Sequence, residues 1–167
     1  MKVGFGFDVH RMTEGRKFFL GGIEIPHSKG AEGHSDADVL IHSICDALLG
    51  AANLGDIGMH FPDSLVEFKD IDSKILLKKV CSLLVEKKYT IGNIDTTICL
   101  QQPKIATHIP AMKKTLASVM EIEEDKISIK ATTNEKLGFI GREEGVSCYA
   151  VVLIQFENLS AGRSTEI

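Results

Sequence analysis

The chain of 167 residues has a mass of 18.3 kDa, with 44% hydrophobic and 25% charged residues; it is the size of one domain and buries a core without disulfide staples. Nineteen basic against 23 acidic residues give a net charge of −4, which argues against a nucleic-acid or anionic-membrane footprint, since both need clustered positive charge. The first 66 residues hold 5 basic and 9 acidic residues and five of the six histidines, so the whole negative excess lies among imidazoles, a composition that suggests a metal site.

In chain order, residues 2–10 read as a core strand, and 18–20 and 23–25 around Gly21-Gly22 read as a hairpin returning beside it. Apolar residues recur at helical spacing from Ser35 and stop at or soon after Gly50. Gly55-Asp56-Ile57-Gly58 and Phe61-Pro62-Asp63 follow as a loop. A second helix is predicted over 72–88, with Ile75, Leu76, Val80, Leu83 and Leu84 inward and lysines outward. Residues 89–100 alternate, with Ile94, Thr96, Ile98 and Leu100 on one face of a half-buried strand. Pro110 stands near the start of a third helix through Met120, and strands are predicted over 126–131 and 146–156. Intermixed helices and strands indicate an α+β or α/β sandwich with a mixed sheet.

Cys45, Cys81, Cys99 and Cys148 are widely spaced without a C-x-x-C pair, and are read mostly as core residues rather than zinc or disulfide partners. No apolar run approaches the ~18 residues of a bilayer span. Met1 leads directly into the first strand, so the expected location is a bacterial cytoplasm, or plastid stroma for a processed chain. Residues 1–158 are expected to form one domain and 159–167 a frayed tail.

The chemistry concentrates in three places. Asp8 and His10, at i and i+2 on a strand, share one face and suit two ligands of one ion. His34-Ser35-Asp36-Ala37-Asp38 precedes the helix carrying His42; 34, 38 and 42 share a face if the helix reaches back that far. The same residues fit a capping box from Ser35 to Asp38, with Asp36 and Asp38 serving only the helix start. His42, on an otherwise apolar helix, needs a partner, and Asp46 one turn on is a candidate to hold its ring. Two histidines and a carboxylate leave a fourth tetrahedral position open. At the end of the strand over 126–131, Thr132, Thr133 and Glu135 fit phosphate and magnesium contacts and Arg142 an anion, or simply a polar connection with a capping Thr.

Gly-Phe-Asp-Val-His at 6–10, Gly-His-Ser-Asp-Ala-Asp-Val at 33–39, Asp-Ala-Leu-Leu-Gly-Ala at 46–51, Leu-Gly-Asp-Ile-Gly at 54–58, Phe-Pro-Asp at 61–63 and Ala-Thr-Thr-Asn-Glu-Lys-Leu-Gly-Phe at 131–139 together resemble the 2-C-methyl-D-erythritol 2,4-cyclodiphosphate synthase family over almost the full chain. The resemblance implies a mixed four-stranded main sheet with helices on one face, in a homotrimer whose sheets turn toward the three-fold axis and whose active sites lie between subunits. It implies cyclisation of 4-diphosphocytidyl-2-C-methyl-D-erythritol 2-phosphate with release of CMP, in the non-mevalonate isoprenoid pathway. Asp8, His10 and His42 resemble the ligands of zinc or another divalent transition metal, and Glu135 that of magnesium or manganese. His34 and Thr133 resemble the catalytic pair, with Ser35 beside them on phosphate. Asp56, Ile57, Gly58, Phe61, Pro62, Asp63, Ser64 and Leu65 resemble the methylerythritol pocket. Leu100, Gln101, Gln102, Pro103, Lys104, Ile105 and Ala106, with Ala131 and Thr132, resemble the cytidine and phosphate pocket supplied by a neighbouring subunit. Leu100, Gln102, Ile105 and Ala106 depart from the family's usual residues, which leaves cytosine reading there to the backbone. Phe139 and Arg142 resemble residues closing a central cavity that holds an isoprenoid diphosphate, with Glu144 pairing Arg142. His27, His60 and His108 are read as surface or structural. The rival readings are a zinc-dependent phosphohydrolase and a non-catalytic trimeric binding protein.

Overall fold

The computed structural model describes residues 1–62, 65 and 70–157. In chain order the elements are β1 (Lys2–Glu14), β2 (Phe18–Leu20), β3 (Ile23–Ile25), β4 (Lys29–Glu32), α1 (Val39–Ala52), α2 (Ile57–His60), α3 (Ser73–Glu86), β5 (Tyr89–Cys99), α4 (Ile109–Met120), β6 (Ile127–Thr132), α5 (Gly138–Gly141) and β7 (Gly145–Phe156). The main sheet has five strands in the order β4-β1-β7-β5-β6, antiparallel except for the β5–β6 pair, and therefore mixed. It has one strand more than the family resemblance implies. The addition is β4, four residues reading Lys-Gly-Ala-Glu, too short and too polar for alternation to mark it. The hairpin over 18–25 forms, but as a separate two-stranded ladder; it is β4 that returns beside β1.

Alternation divides the sheet into unlike faces. On β1, Gly4, Gly6 and Met12 are buried on the helix side, with Asp8 and His10 half-buried among them. Val3, Phe5, Phe7 and Val9 point the other way and are exposed, as are Tyr149 and Val151 of β7; the Phe7 and Tyr149 rings stand 5.0 Å apart. Ile94, Thr96 and Ile98 of β5 and Leu100 are buried on one face as the alternation predicts.

Helix α1 rests on β1 at backbone contact. A Cβ on Gly4 would lie 1.9 Å from the Ala47 carbonyl oxygen, and one on Gly6 would lie 2.0 Å from that of Ser43. Its start is fixed by Asp38, fully buried, whose carboxylate accepts from Ile41 N at 3.0 Å and from the hairpin-turn amides of Gly21 at 3.0 Å and Gly22 at 2.6 Å. Burial raises the Asp38 pKa, and these backbone donors oppose the rise. The helix therefore begins at Val39, not at Ser35; Ala37 has a positive φ of 57°, and Ser35 Oγ accepts from Ala37 N instead of closing a capping box.

Helix α3 is N-capped by Asp72, and α4 carries Pro110 in its first turn, where a missing N–H costs nothing. On α3 the buried stripe is Leu76, Leu77, Val80 and Leu84, whereas Ile75 is 48% exposed, so the inward face lies one position further round than expected. The four cysteines are free, with Cys45 and Cys148 buried in the core; burial pushes the thiols of Cys81 and Cys148 up to about 12.

Gly6→Ala is expected to destabilise the protein by about 3 kcal/mol or more, because a backbone carbonyl blocks the methyl and the strand must part from the helix. Gly50→Ala, on α1 with open space for 4 Å around the point a Cβ would occupy, is expected to gain about 0.5–1 kcal/mol. Urea unfolding of both variants measures this; equal effects would contradict the backbone-contact account.

Candidate active site

Three ligand atoms meet where β1 passes under the first turn of α1. Asp8 Oδ2 is 2.9 Å from His10 Nε2 and 3.0 Å from His42 Nδ1, and the two ring nitrogens are 3.1 Å apart. A tetrahedral ion with bonds of ~2.0 Å sets its ligand atoms ~3.3 Å apart, so this triangle fits a divalent transition metal with small adjustment. The donor set is also chemically suitable, being two imidazoles and one carboxylate, all half-buried. His10 is oriented by its other nitrogen: Nδ1 lies 3.0 Å from the Glu32 carbonyl oxygen. A carbonyl only accepts, so Nδ1 carries a proton; Nε2 donates to Asp8 when the ring is charged and presents its lone pair to the triangle when the ring is neutral, as a metal ligand must be. His42 Nε2 faces two hydroxyls, Ser73 Oγ at 2.9 Å and Ser35 Oγ at 3.1 Å.

The electrostatics follow from this packing. Burial works to raise the Asp8 pKa, but hydrogen bonds and charge from His10 and His42 outweigh it and hold the carboxyl well below its usual range. Burial works to lower the His42 pKa, and Asp8 reverses it, so the imidazole stays protonated above its usual 6.5. Asp46 does not hold the His42 ring. Its Oδ1 accepts from Ile57 N at 2.8 Å and braces α2 against α1. Asp36 is more than a cap: it accepts the Ser73 N–H at 3.0 Å and the Ser73 hydroxyl, joining the loop before α1 to the start of α3. Neither Ser73 nor this role of Asp36 was visible in local spacing, since 37 residues separate the two.

The triangle opens on a cavity of about 250 Å³ lined by His10, His34, Ser35, His42, Ile57 and Phe61 among others. Backbone bonds from Asp70 N to His34 O at 2.8 Å and from Asp36 N to Ile71 O at 3.1 Å hold the His34–Ser35 loop in place. His34 Nε2 is buried without a hydrogen-bond partner among the described residues. Asp56 caps α2 through Met59 N at 2.9 Å and leaves Gly58 exposed beside it; Pro62 is half-buried and Leu65 exposed, while Asp63 and Ser64 lie outside the described residues. His60 Nε2 bonds the Leu54 carbonyl at 2.8 Å, a structural role as expected.

A second group forms where parallel β5 and β6 end. Leu100 N donates to Thr132 O at 3.0 Å, Lys136 N to Gln101 Oε1 at 3.3 Å, and Thr133 Oγ1 to Glu135 Oε1 at 2.9 Å. Between them Leu100 and Ile105 are buried, Pro103 follows a cis peptide, and Gln102, Lys104, Ala106 and Ala131 are exposed. Strand register puts Asp8, Cys148, Ile98 and Ala131 in one row across the sheet. Three strand spacings of ~4.8 Å therefore separate Asp8 from Ala131, about 14 Å within one chain. The structure thus brings Asp8, His10, His42, His34 and Ser35 together and keeps Thr133 and Glu135 apart from them. Phe139 lines a larger cavity of about 620 Å³ that His10 shares, with Val9, Lys29 and Glu144, next to the Arg142–Glu144 ion pair, closed at 2.9 and 3.0 Å.

Comparisons with known proteins converge on one name. The model of the YgbB family matches residues 1–155. A Bacteroides thetaiotaomicron protein named 2-C-methyl-D-erythritol 2,4-cyclodiphosphate synthase is 64% identical over 155 residues, covering 93% of this chain and 98% of its own. A Bacteroides fragilis protein of the same name is 66% identical over 154 residues, with 92% and 97% covered. Among solved structures, a 2C-methyl-D-erythritol-2,4-cyclodiphosphate synthase in its CDP-bound form superposes with a TM-score of 0.85 at 34% identity, covering 92% of this chain and 100% of that one. The bifunctional IspDF from Campylobacter jejuni reaches a TM-score of 0.90 at 42% identity over 93% of this chain, which spans only 42% of that protein.

The raised His42 pKa sets a pH dependence. In the metal-free protein its contribution to stability is complete below the unfolded value of 6.5 and is lost as pH rises through the higher folded value, so metal-free stability should fall as pH rises above 6.5. A divalent transition metal bound there would reverse the sign, because its ligands must be deprotonated. Urea unfolding at several pH values, with and without zinc, reads both slopes; a metal-free profile that rises with pH would contradict the assigned geometry.

Proposed function

The chain belongs to the YgbB family, and we propose that it converts 4-diphosphocytidyl-2-C-methyl-D-erythritol 2-phosphate to 2-C-methyl-D-erythritol 2,4-cyclodiphosphate with release of CMP. It is a phosphorus–oxygen lyase of the non-mevalonate isoprenoid pathway. An oxygen of the 2-phosphate attacks the β-phosphorus, the bond from that phosphorus to the bridging oxygen breaks, and CMP departs with the electron pair. No water is consumed. Nucleophile and electrophile belong to one molecule, so the protein's task is positioning and charge neutralisation. The observation that carries the reading is the Asp8–His10–His42 triangle opening on a cavity beside the buried His34 ring nitrogen, which has no partner among the described residues.

In this reading Asp8, His10 and His42 would hold zinc and Glu135 would hold magnesium, the first supplying positive charge to the β-phosphate and the second to the α- and β-phosphates together. His34 donates from its buried Nε2 to phosphate, with Ser35 alongside, and Thr133 does the same from the opposite side. Asp56 accepts methylerythritol hydroxyls, with Ile57, Gly58, Phe61, Pro62 and the loop through Asp63, Ser64 and Leu65 enclosing them. Leu100 to Ala106, with Ala131 and Thr132, seat the cytidine, and Lys104 lies near its phosphates.

The ~14 Å between the two groups, together with the exposed apolar face of Val3, Phe5, Phe7 and Val9, supports a homotrimer. In it the Thr133 group of one subunit completes the metal triangle of the next, and Phe139 and Arg142 close a central cavity fit for an isoprenoid diphosphate. The proposed location is the cytoplasm; no helix among the described residues is long and apolar enough to cross a membrane.

The test is CMP release from the cytidylyl substrate with phosphorus NMR of the product. A cyclic diphosphate is expected, and a linear one would establish the phosphohydrolase reading instead. His42→Ala and Thr133→Ala are each expected to lower turnover by roughly 100-fold or more. Mixed after co-refolding, the two inactive variants are expected to regain activity at roughly a quarter of their sites, since one of the two kinds of hybrid boundary pairs an intact triangle with an intact Thr133 and the other pairs both mutated residues. Full CMP release by His42→Ala would reduce the triangle to a structural role.

A further inference from the structure

Ser73, the first residue of α3, is fully buried against the His42 ring. Its hydroxyl donates to Asp36 Oδ1 and lies 2.9 Å from His42 Nε2. The first bond determines the direction of the second. An ionised carboxylate only accepts, and a serine hydroxyl has one proton, so the bond to the ring must run from His42 Nε2–H to Ser73 Oγ. Asp36 is fixed for this purpose: its Oδ2 accepts the Ser73 amide at 3.0 Å, and its own N–H donates to the Ile71 carbonyl at 3.1 Å.

With the proton on Nε2, the neutral imidazole carries its lone pair on Nδ1, the atom 3.0 Å from Asp8 Oδ2 and 3.1 Å from His10 Nε2. We propose that Asp36 and Ser73 are positioning residues for the metal triangle, holding His42 in the Nε2–H tautomer so that Nδ1 is its ligand atom. The same task is done for His10 by the Glu32 backbone carbonyl, which needs no particular side chain. For His42 it is done by two side chains from separate segments, so it is open to mutation. One consequence reaches the cavity. Ser35 Oγ, 3.1 Å from the same Nε2 and already accepting from Ala37 N at 3.2 Å, also meets a donor in that ring, so its own proton is directed away from His42 toward the space it lines.

The proposal rests on the reading that Asp8, His10 and His42 hold a divalent ion, and the experiment separates the two. Zinc affinity is measured by chelator competition for the full-length wild type, Ser73→Ala, Asp36→Asn and the double variant. Absorption spectra of the cobalt-substituted proteins and ¹⁵N NMR of the His42 ring in the zinc-loaded wild type accompany it. Asp36→Asn keeps the side-chain shape, but its amide donates to Ser73 Oγ, which turns the hydroxyl proton toward Nε2 and reverses the tautomer. Each single variant is expected to bind zinc roughly 10- to 100-fold more weakly with a displaced cobalt spectrum. The double variant is expected to lose no more than the worse single one, since both act through one chain of bonds. The wild-type ring should show a protonated Nε2.

An unprotonated Nε2 in the zinc-loaded wild type would overturn the proposal, and that measurement does not depend on any variant folding. A folded Asp36→Asn protein that binds zinc within about threefold of wild type and leaves the cobalt spectrum unmoved would overturn it as well. A wild type without zinc affinity would remove the metal reading itself, whereas equal binding by all four proteins would leave that reading standing and remove only the relay.

Discussion

Everything at the candidate site depends on how closely α1 sits on β1. Gly6 and Asp8 lie two residues apart on the same face of the strand, and Ser43, whose carbonyl occupies the space of a Gly6 Cβ, follows His42 directly. The approach that places backbone on backbone at Gly4 and Gly6 is therefore the one that carries His42 to 3.0 Å from Asp8. Asp38 locks the remaining freedom. Bound to the amides of Ile41, Gly21 and Gly22, it fixes where the helix begins, and thereby the direction in which a residue one turn later projects.

Close packing creates an electrostatic problem that the site uses. Asp8 and His42 are drawn out of water, and each is kept charged by the other in the metal-free protein. The arrangement stores proton binding where a cation can replace it, so that binding a divalent ion exchanges a proton for a stronger charge in the same triangle. In the proposed function, with the negative excess in this part of the chain, bound cations would also be the means by which a phosphate-rich ligand is admitted.

The sheet divides its labour by face and by row. On one face the helices bury the core; on the other, β1 and β7 expose Phe5, Phe7, Tyr149 and Val151 without cover from the other described residues. Along one row, the metal triangle and the Thr133–Glu135 pair stand at separated strands and cannot meet within a monomer. Both features are answered by the proposed trimer, in which covering the apolar face and completing the site are the same event.

The alternation of residues 89–100, the helical spacing after Asp38 and the Asp8/His10 spacing on a strand were legible in the sequence because each is a local periodicity set by backbone geometry. So was His42 as a ring in need of a partner, and the family to which the motifs point. The choice of that partner was not. Asp46, one turn away and the natural candidate, braces α2, while the ring is served by Ser73, 31 residues distant. Likewise β4 is too short to show a period, Ile75 and Leu77 exchange places through a small rotation of α3, and Asp36 looks like a cap until α3 arrives beside it. Sequence determined which residues stand on which face of each element, because that depends on neighbours along the chain. Which faces meet, and so which hydroxyl sets the proton on His42, was decided only by tertiary packing, because a hydrogen bond depends on tenths of an ångström between segments that share no local pattern.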